Sequence, residues 1–365
     1  MKFWFLCLAL FFSSCKPSFE SSALRVRIGN EPVTLDSTGV EDGLGLFVVS
    51  LLSQGLVGGG EKGDWEYQLA ETHEVLGEGR IWRFKLKKGL FWSDGAPLLP
   101  VHFVDAFYRI LDPKLASKNA EQFFEIKNAK NYFLKKVNKI GVKADESWIT
   151  FYLEKPRMDW ISILTHIAAR PIRKDYLKDE KWNPYTPTVG AYFIKKYEFG
   201  VMMKLAPNPY FWGTQARYPV HIQIVKESAA AIRLFEQGRL DYLPRIPEDE
   251  LGSIHSKYVH SFPYSATYYL GFNTRKPPFD QRSVRCAFSQ AVKKKKAIQA
   301  AGVLSKPTDQ FLLPMYGNQK SKKRKESSIQ IKKIIQVGVN SGSRDEIILQ
   351  SVLHDWKKNG ECRLS

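Results

Sequence analysis

The stretch from Arg80 to Pro113, RIWRFKLKKGLFWSDGAPLLPVHFVDAFYRILDP, leaves the chain few ways to fold. Trp82, Phe84 and Leu86 alternate with Arg83, Lys85 and Lys87, the period of two that a strand shows when one face is buried and the other wet. Asp94-Gly95 is a turn signal. Pro100 stands where a helix can begin, because its missing N–H would have no partner there anyway. Val104, Phe107, Tyr108 and Leu111 then follow at helical spacing until Asp112-Pro113 stops the run. The stretch therefore predicts two strands, a turn and a helix, a small α+β unit. A chain of 365 residues can bury a large core and should divide into two or more lobes.

The N-terminus reads as a targeting segment. Met1-Lys2 is followed by the apolar run Phe3 to Phe12, which has the length of a signal h-region and is too short to span a bilayer. Ser13 and Ser14 precede Cys15, and the resulting FSSC resembles the lipobox of bacterial lipoproteins, with Phe12 in place of the usual Leu. The resemblance implies a lipidated Cys15 as mature N-terminus, and the alternative is an ordinary signal peptide with an incidental cysteine. Of four cysteines, Cys7 and Cys15 lie in this segment, so Cys286 and Cys362 leave room for one bridge at most.

The net charge of +18 is uneven, since residues 281–365 hold 18 Lys and Arg against 6 Asp and Glu and so carry +12 of it. Lys293 to Lys296 and the run Lys320 to Lys325 dominate. Such runs can bind nucleic acid or an anionic membrane. No aromatic residue interleaves with these lysines to stack on bases, so they read as a solvated helix face and a loop, and no nucleic-acid partner is expected. Enzyme classes find as little support. The seven His are scattered, without HExxH, a Cys-x-x-Cys or a G-x-S-x-G elbow. Gly58-Gly59-Gly60 reads as a loop without the context of a phosphate site, and carboxylate pairs such as Glu154 with Asp159 or Asp105 with Asp112 arise by chance in any chain this long. Neither a catalytic residue, a cofactor nor a metal is expected.

Four segments in fixed order carry a resemblance. A strand ending L-K-K-G is followed by L-F-W-S-D-G-A-P (Leu90 to Pro97) and an F-V-D-A-F helix. Ala206 to Trp212 reads A-P-N-P-Y-F-W, Gly238 to Tyr242 reads G-R-L-D-Y, and Tyr264 to Phe279 reads YSATYYLGFNTRKPPF. Together they resemble bacterial extracellular solute-binding family 5, the peptide-binding lipoproteins that feed ABC importers. The resemblance implies a periplasmic binding protein-like α/β fold (class II, cluster C), with two main lobes plus an extra lobe. It assigns residues 1–14 to the signal peptide, 15–44 and 187–266 to lobe I, 45–186 to the extra lobe II and 267–365 to lobe III. It implies a monomer in the periplasm, anchored to the membrane by its N-terminal lipid, that binds oligopeptides for ABC permease membrane subunits.

Residue by residue, the resemblance places Glu41 beside the ligand, with Asp42 and Gly43 where backbone groups pair with a bound peptide, and it puts Tyr268 and Tyr269 in the cleft. An exposed extended segment can accept a peptide as an added strand, main-chain hydrogen bonds supplying affinity whatever the sequence bound. Where the family has G-x-G before a hairpin this chain has Thr188-Val189-Gly190. The family also continues well beyond Ser365, so the resemblance implies a truncated member with an incomplete last lobe, for which impaired binding and no transport role is the alternative reading.

Outside those segments the pattern predicts a strand from Leu24, a helix from Phe47 stopped by Gly55, a strand at Trp148 to Leu153 and a hairpin around Gly200. Further on it predicts a strand at Val220 to Ile224, a helix at Ser228 to Gln237 capped by Gly238, one helix from Asp280 to about Ala300, a strand at 334–340 and a helix at Glu346 to Lys357.

Overall fold

The computed structural model describes residues 23–60, 64–177, 181–244, 246, 248–260, 267–301, 305–311, 335–339 and 344–358. Cys15 and the N-terminal run expected to be a targeting segment, Cys362 and the basic run at 320–325 lie outside the described residues. The chain divides into two compact units, Met1–Ile246 and Pro247–Ser365. The boundary falls within the segment 187–266 that the resemblance assigned to lobe I.

The first unit is built on two four-stranded sheets. In one, β1 (Leu24–Ile28) lies at an edge beside β10 (Val220–Ile224), followed by β9 (Met202–Pro207) and β8 (Tyr192–Glu198). β1 and β10 are parallel, Val26 opposite Ile222, whereas the other pairs are antiparallel. In the second sheet the order is β4 (Ala70–Leu76), β5 (Ile81–Leu86), β7 (Trp148–Tyr152) and β6 (Val142–Ala144), antiparallel throughout. A two-stranded ribbon, β2 (Val57–Gly59) with β3 (Trp65–Tyr67), forms a separate ladder whose Val57, Trp65 and Tyr67 pack on the core of the second sheet.

The alternation read in β5 holds, with Trp82, Phe84 and Leu86 buried and their neighbours half-buried. The second strand expected in the same stretch is reduced to a single bridge, Phe91 opposite Pro97, closed by Trp92 N–H to Ala96 O and Leu98 N–H to Leu90 O. Helix α2 (Val101–Ile110) follows Pro100 as expected, but it buries Phe103, Ala106, Phe107 and Ile110, while Val104 and Tyr108 are only half-buried. The apolar arc of this helix is wide enough for two overlapping stripes, and packing against β6 and β7 selects the one a residue earlier. Phe107 meets Phe151 edge-on at 5.0 Å and Phe123 at 5.3 Å. Each such fully buried ring contributes roughly 1.5–3 kcal/mol of transfer free energy.

Helix α1 (Gly43–Leu52) starts earlier than its apolar run suggests, because Asp42 caps it, and it stops at Leu52, before Gly55. Its Val48, Val49 and Leu52 join Val26, Ile28, Ile194, Met203, Leu205 and Ile222 in the core of the β1 sheet. Residues 45–52, placed with the extra lobe on sequence, thus pack with the first sheet, since that sheet offers the apolar face their stripe needs. The glycine triplet is likewise corrected: Gly58 and Gly59 belong to β2, and a Cβ at Gly58 would lie 2.1 Å from the Gln68 side chain. Gly190 explains the remaining glycine of T-V-G. A Cβ there would lie 2.4–2.6 Å from the backbone of Leu51, Leu52 and Ser53, and its N–H bonds Leu52 O at 2.9 Å. Two short helices, α3 (Ala129–Phe133) and α4 (Trp160–Ile163), and α5 (Ser228–Glu236) complete this unit, with Gly238 at φ 65° after α5 and Gly200 at φ 73° in the β8–β9 turn.

In the second unit the single helix expected from Asp280 is broken. α6 (Arg282–Ala291) and α7 (Lys294–Ala301) are separated at Val292-Lys293, where Lys293 N–H donates to the buried Asp355 carboxylate at 2.8 Å. The Asp280 carboxylate accepts from the adjacent Gln281 N–H, and Gln281, with no side-chain cap bond, is the cap of α6. Asp355 lies on α8 (Arg344–Lys358), whose Trp356 packs on Phe288 and donates its Nε1–H to Phe288 O at 2.9 Å. Residues 335–339 carry no strand, although Ile335 and Val337 do enter the apolar cluster of this unit.

Candidate functional site

The segment Thr34 to Gly43 leaves β1 and reaches α1 without joining a sheet. Asp36 organises its first half. Its Oδ1 accepts from Thr38 N–H at 3.0 Å and the Thr38 hydroxyl at 2.7 Å, while Asp36 O accepts from the N–H groups of Gly39 and Val40. Arg109, on the inward face of α2, donates Nη1–H to Asp36 Oδ1 at 2.9 Å and Nη2–H to Asp36 Oδ2 at 2.6 Å, with Nη1 also 2.6 Å from the Thr38 hydroxyl. The pair is largely buried, a situation in which a two-pronged geometry is needed to offset desolvation.

The second half carries the residues singled out on sequence. Glu41 is exposed and pairs with Lys118 at 3.2 Å. Asp42 is the cap of α1, its Oδ1 accepting from Leu44 N–H at 3.1 Å and Gly45 N–H at 2.9 Å. Gly43 is exposed in the first turn of α1, where the intrahelical ladder leaves backbone N–H groups without an internal acceptor. So the expectation of one extended stretch through Gly43 is modified, and the main chain on offer is a loop that ends in a helix N-terminus.

Tyr268 and Tyr269 are 79% and 71% exposed. Residues 267–273 follow no ladder among the described residues, and residues 264–266 lie outside them. Tyr269 rests edge-on against Phe311 at 5.2 Å, and the Thr267 hydroxyl donates to Phe311 O at 2.9 Å. The two tyrosines therefore present aromatic faces and are not core residues of their own unit.

A second constellation went unnoticed on sequence. Arg173 donates to the carboxylates of Asp94, at 2.9 and 3.2 Å, and of Asp175, at 2.6 and 2.8 Å, and its guanidinium lies over Tyr176 at 4.8 Å. The hydrogen bond from Arg173 holds the Asp175 carboxyl below the usual carboxylate range. Burial, together with Arg173, lowers His102, whose Nδ1 faces Trp92 Nε1 at 3.2 Å. Between Arg109 and Arg173 is a cavity of about 50 Å³ that Leu35, Trp92 and Thr186 also line. Among the described residues no group of three or more His, Cys, Asp or Glu could hold a metal ion, and no helix is long and apolar enough to cross a membrane.

The model of the bacterial extracellular solute-binding proteins, family 5 Middle, matches residues 64–333. The chain belongs to this family. A family 5 chain is a solute-binding protein and not an enzyme. The periplasmic murein peptide-binding protein MppA of Escherichia coli (strain K12) is 28% identical over 311 residues, 78% of this chain and 58% of that one. The periplasmic oligopeptide-binding protein OppA of the same strain is 28% identical over 256 residues, 66% of this chain and 46% of that one. The chain thus spans about half the length of the curated relatives it matches. Among solved structures, the ABC transporter substrate-binding protein CtaP of Listeria monocytogenes superposes with a TM-score of 0.80 at 20% identity, covering 94% of this chain and 73% of that one. At that identity the likeness establishes the periplasmic binding protein-like α/β fold.

Arg109, Ser117 and Asn119 are the residues that sequence reading missed beside the loop. One signal was available: an Arg whose helical position, three after Ala106 and next to Ile110, falls on the buried arc of α2 must find a partner there.

Proposed function

We propose that this family 5 chain is an extracytoplasmic receptor that binds oligopeptides and delivers them to the membrane subunits of an ABC importer. It works as a monomer in the periplasm, held to the membrane by a lipid on Cys15. The observation that carries the reading is the family match across 64–333, joined to relatives whose names describe binding of murein peptides and oligopeptides. The local chemistry supports it. Glu41 offers a carboxylate to a cationic group, Gly43 offers main-chain groups at a helix N-terminus, and Tyr268 and Tyr269 offer aromatic area to apolar side chains.

Gly43→Pro is the decisive variant. Pro is favoured at the first position of a helix, and Asp42 already has the extended backbone, φ −85° and ψ 150°, that a residue before Pro prefers. The substitution therefore deletes one N–H and leaves α1 intact. Titration calorimetry with a tri- to pentapeptide pool should show binding by the unaltered chain and at least about fivefold weaker binding by the variant, the value of one net hydrogen bond. Peptide binding absent from the unaltered chain would sink the reading. For the anchor, Cys15→Ser should move the protein from the membrane fraction to the soluble periplasm, because it removes the site of acylation. Unchanged partition would remove lipidation from the proposal.

A further inference from the structure

The backbone of residues 38–41 is held at successive points by one short segment more than 75 positions away in sequence. Ser117 donates its hydroxyl to Thr38 O at 2.6 Å. Asn119 donates its amide to Thr38 O and to Val40 O, both at 3.3 Å, and Lys118, between them, reaches the Glu41 carboxylate. Ser117 also accepts from Asn119 N–H at 3.2 Å, so the segment is itself ordered by the turn it caps. From the other side Arg109 grips Asp36 and Thr38. Thr38, Arg109, Ser117 and Asn119 are all buried, where an unpaired polar group costs more than on the surface. No ladder fixes residues 37–42.

We infer that Arg109, Ser117 and Asn119 are positioning residues for the Glu41–Gly43 loop. They mould the 38–41 backbone so that the ligand-facing groups are already in place before a peptide arrives. The inference rests on the reading of Glu41 to Gly43 as a ligand edge. Its physical content is preorganisation: a loop ordered in advance does not have to be ordered by the ligand, and affinity rises by that difference.

Asn119→Ala removes the two amide donors and spares the Arg109–Asp36 pair. Hydrogen exchange at residues 38–43, the thermal midpoint and the affinity for a tri- to pentapeptide pool are then measured on the whole chain. Faster exchange confined to 38–43, with about tenfold weaker peptide binding and a midpoint lowered by only a few degrees, is the expected result. Unchanged exchange in a folded Asn119→Ala protein overturns the inference. Faster exchange with unchanged affinity, when Gly43→Pro does weaken binding, overturns it as well, because the clamp would then order a loop without serving the ligand. If the unaltered chain binds no peptide, the functional reading falls, and exchange at 38–43 decides the clamp alone. Should Asn119→Ala fail to fold, Ser117→Ala, which deletes a single hydroxyl, takes its place with the same outcomes.

Discussion

The two segments proposed to meet a ligand are built in opposite ways. Residues 36–43 are tied down by a buried ion pair, an Asx-type turn and three side chains from a distant part of the chain, and Gly39, Glu41 and Gly43 are the exposed positions. Residues 267–273 carry two tyrosines that are more than two-thirds exposed, tethered through Thr267 and Phe311 alone among the contacts described. The first has the character of a fixed edge, which can repeat one hydrogen-bond pattern for any peptide. The second is an aromatic surface that can adapt to different side chains. In the proposed function the two would complement each other, since main-chain pairing is independent of sequence and aromatic contact is tolerant of it.

That contrast can be broken most directly at Arg109. Arg109→Met leaves the Asp36 carboxylate largely buried without its cation, and about 3–5 kcal/mol of stability should be lost, read as a lower urea midpoint with unchanged slope. A loss under about 1 kcal/mol would mean that the first segment is no better anchored than the second. Gly190→Ala should come next, at roughly 1–3 kcal/mol, because the new methyl meets the backbone at the end of α1 and no flexible side chain can give way. Asp42→Ala should cost about 1 kcal/mol, the value of a helix cap, and circular dichroism should show a small helix loss. Tyr268→Ala and Tyr269→Ala should change stability by less than about 0.5 kcal/mol, as exposed positions do, while peptide affinity falls. A large destabilisation by either tyrosine variant would show that the second segment is structural after all.

The dependence on pH sharpens the same comparison. His73, His102 and His166 of the first unit are all lowered, in each case chiefly by burial, with Arg173 adding to the effect at His102 and Arg170 at His166. A histidine lowered in the folded state binds its proton first in the unfolded state. Its contribution is therefore complete above the unfolded value near 6.5 and is lost as pH falls through the folded value. Urea midpoints should accordingly decrease from pH 7.5 to pH 5, and His166→Gln should flatten that slope. A midpoint that rises on acidification would contradict the burial of these rings.

Much of this molecule was legible from adjacent residues. The alternation of Trp82, Phe84 and Leu86, the start of α2 after Pro100, the hairpin around Gly200 and the end of α5 at Gly238 all appear where the pattern put them. These features depend on periodicity and on local backbone preference, which neighbouring residues report directly. Glu41, Asp42 and Gly43 were singled out by resemblance, yet nothing in their own neighbourhood showed that Asp42 caps α1 or that Lys118 meets Glu41.

What tertiary structure alone decided has one physical character: it concerns groups that meet only after the chain has folded. Arg109 and Asp36 stand 73 positions apart, and only the docking of α2 turns two ordinary charged residues into a buried pair. The break at Val292-Lys293 is another case, because the Lys residues that follow would continue a helix, and it is the buried Asp355 that takes the Lys293 N–H. Gly190 belongs here too, since its lack of a side chain matters only once the end of α1 lies against it. By itself the sequence determined elements such as β5, α2 and α5 and the family to which the chain belongs. The partners of its buried polar groups were left to the fold, because burial makes those groups choose one another at distances along the chain that no local pattern records.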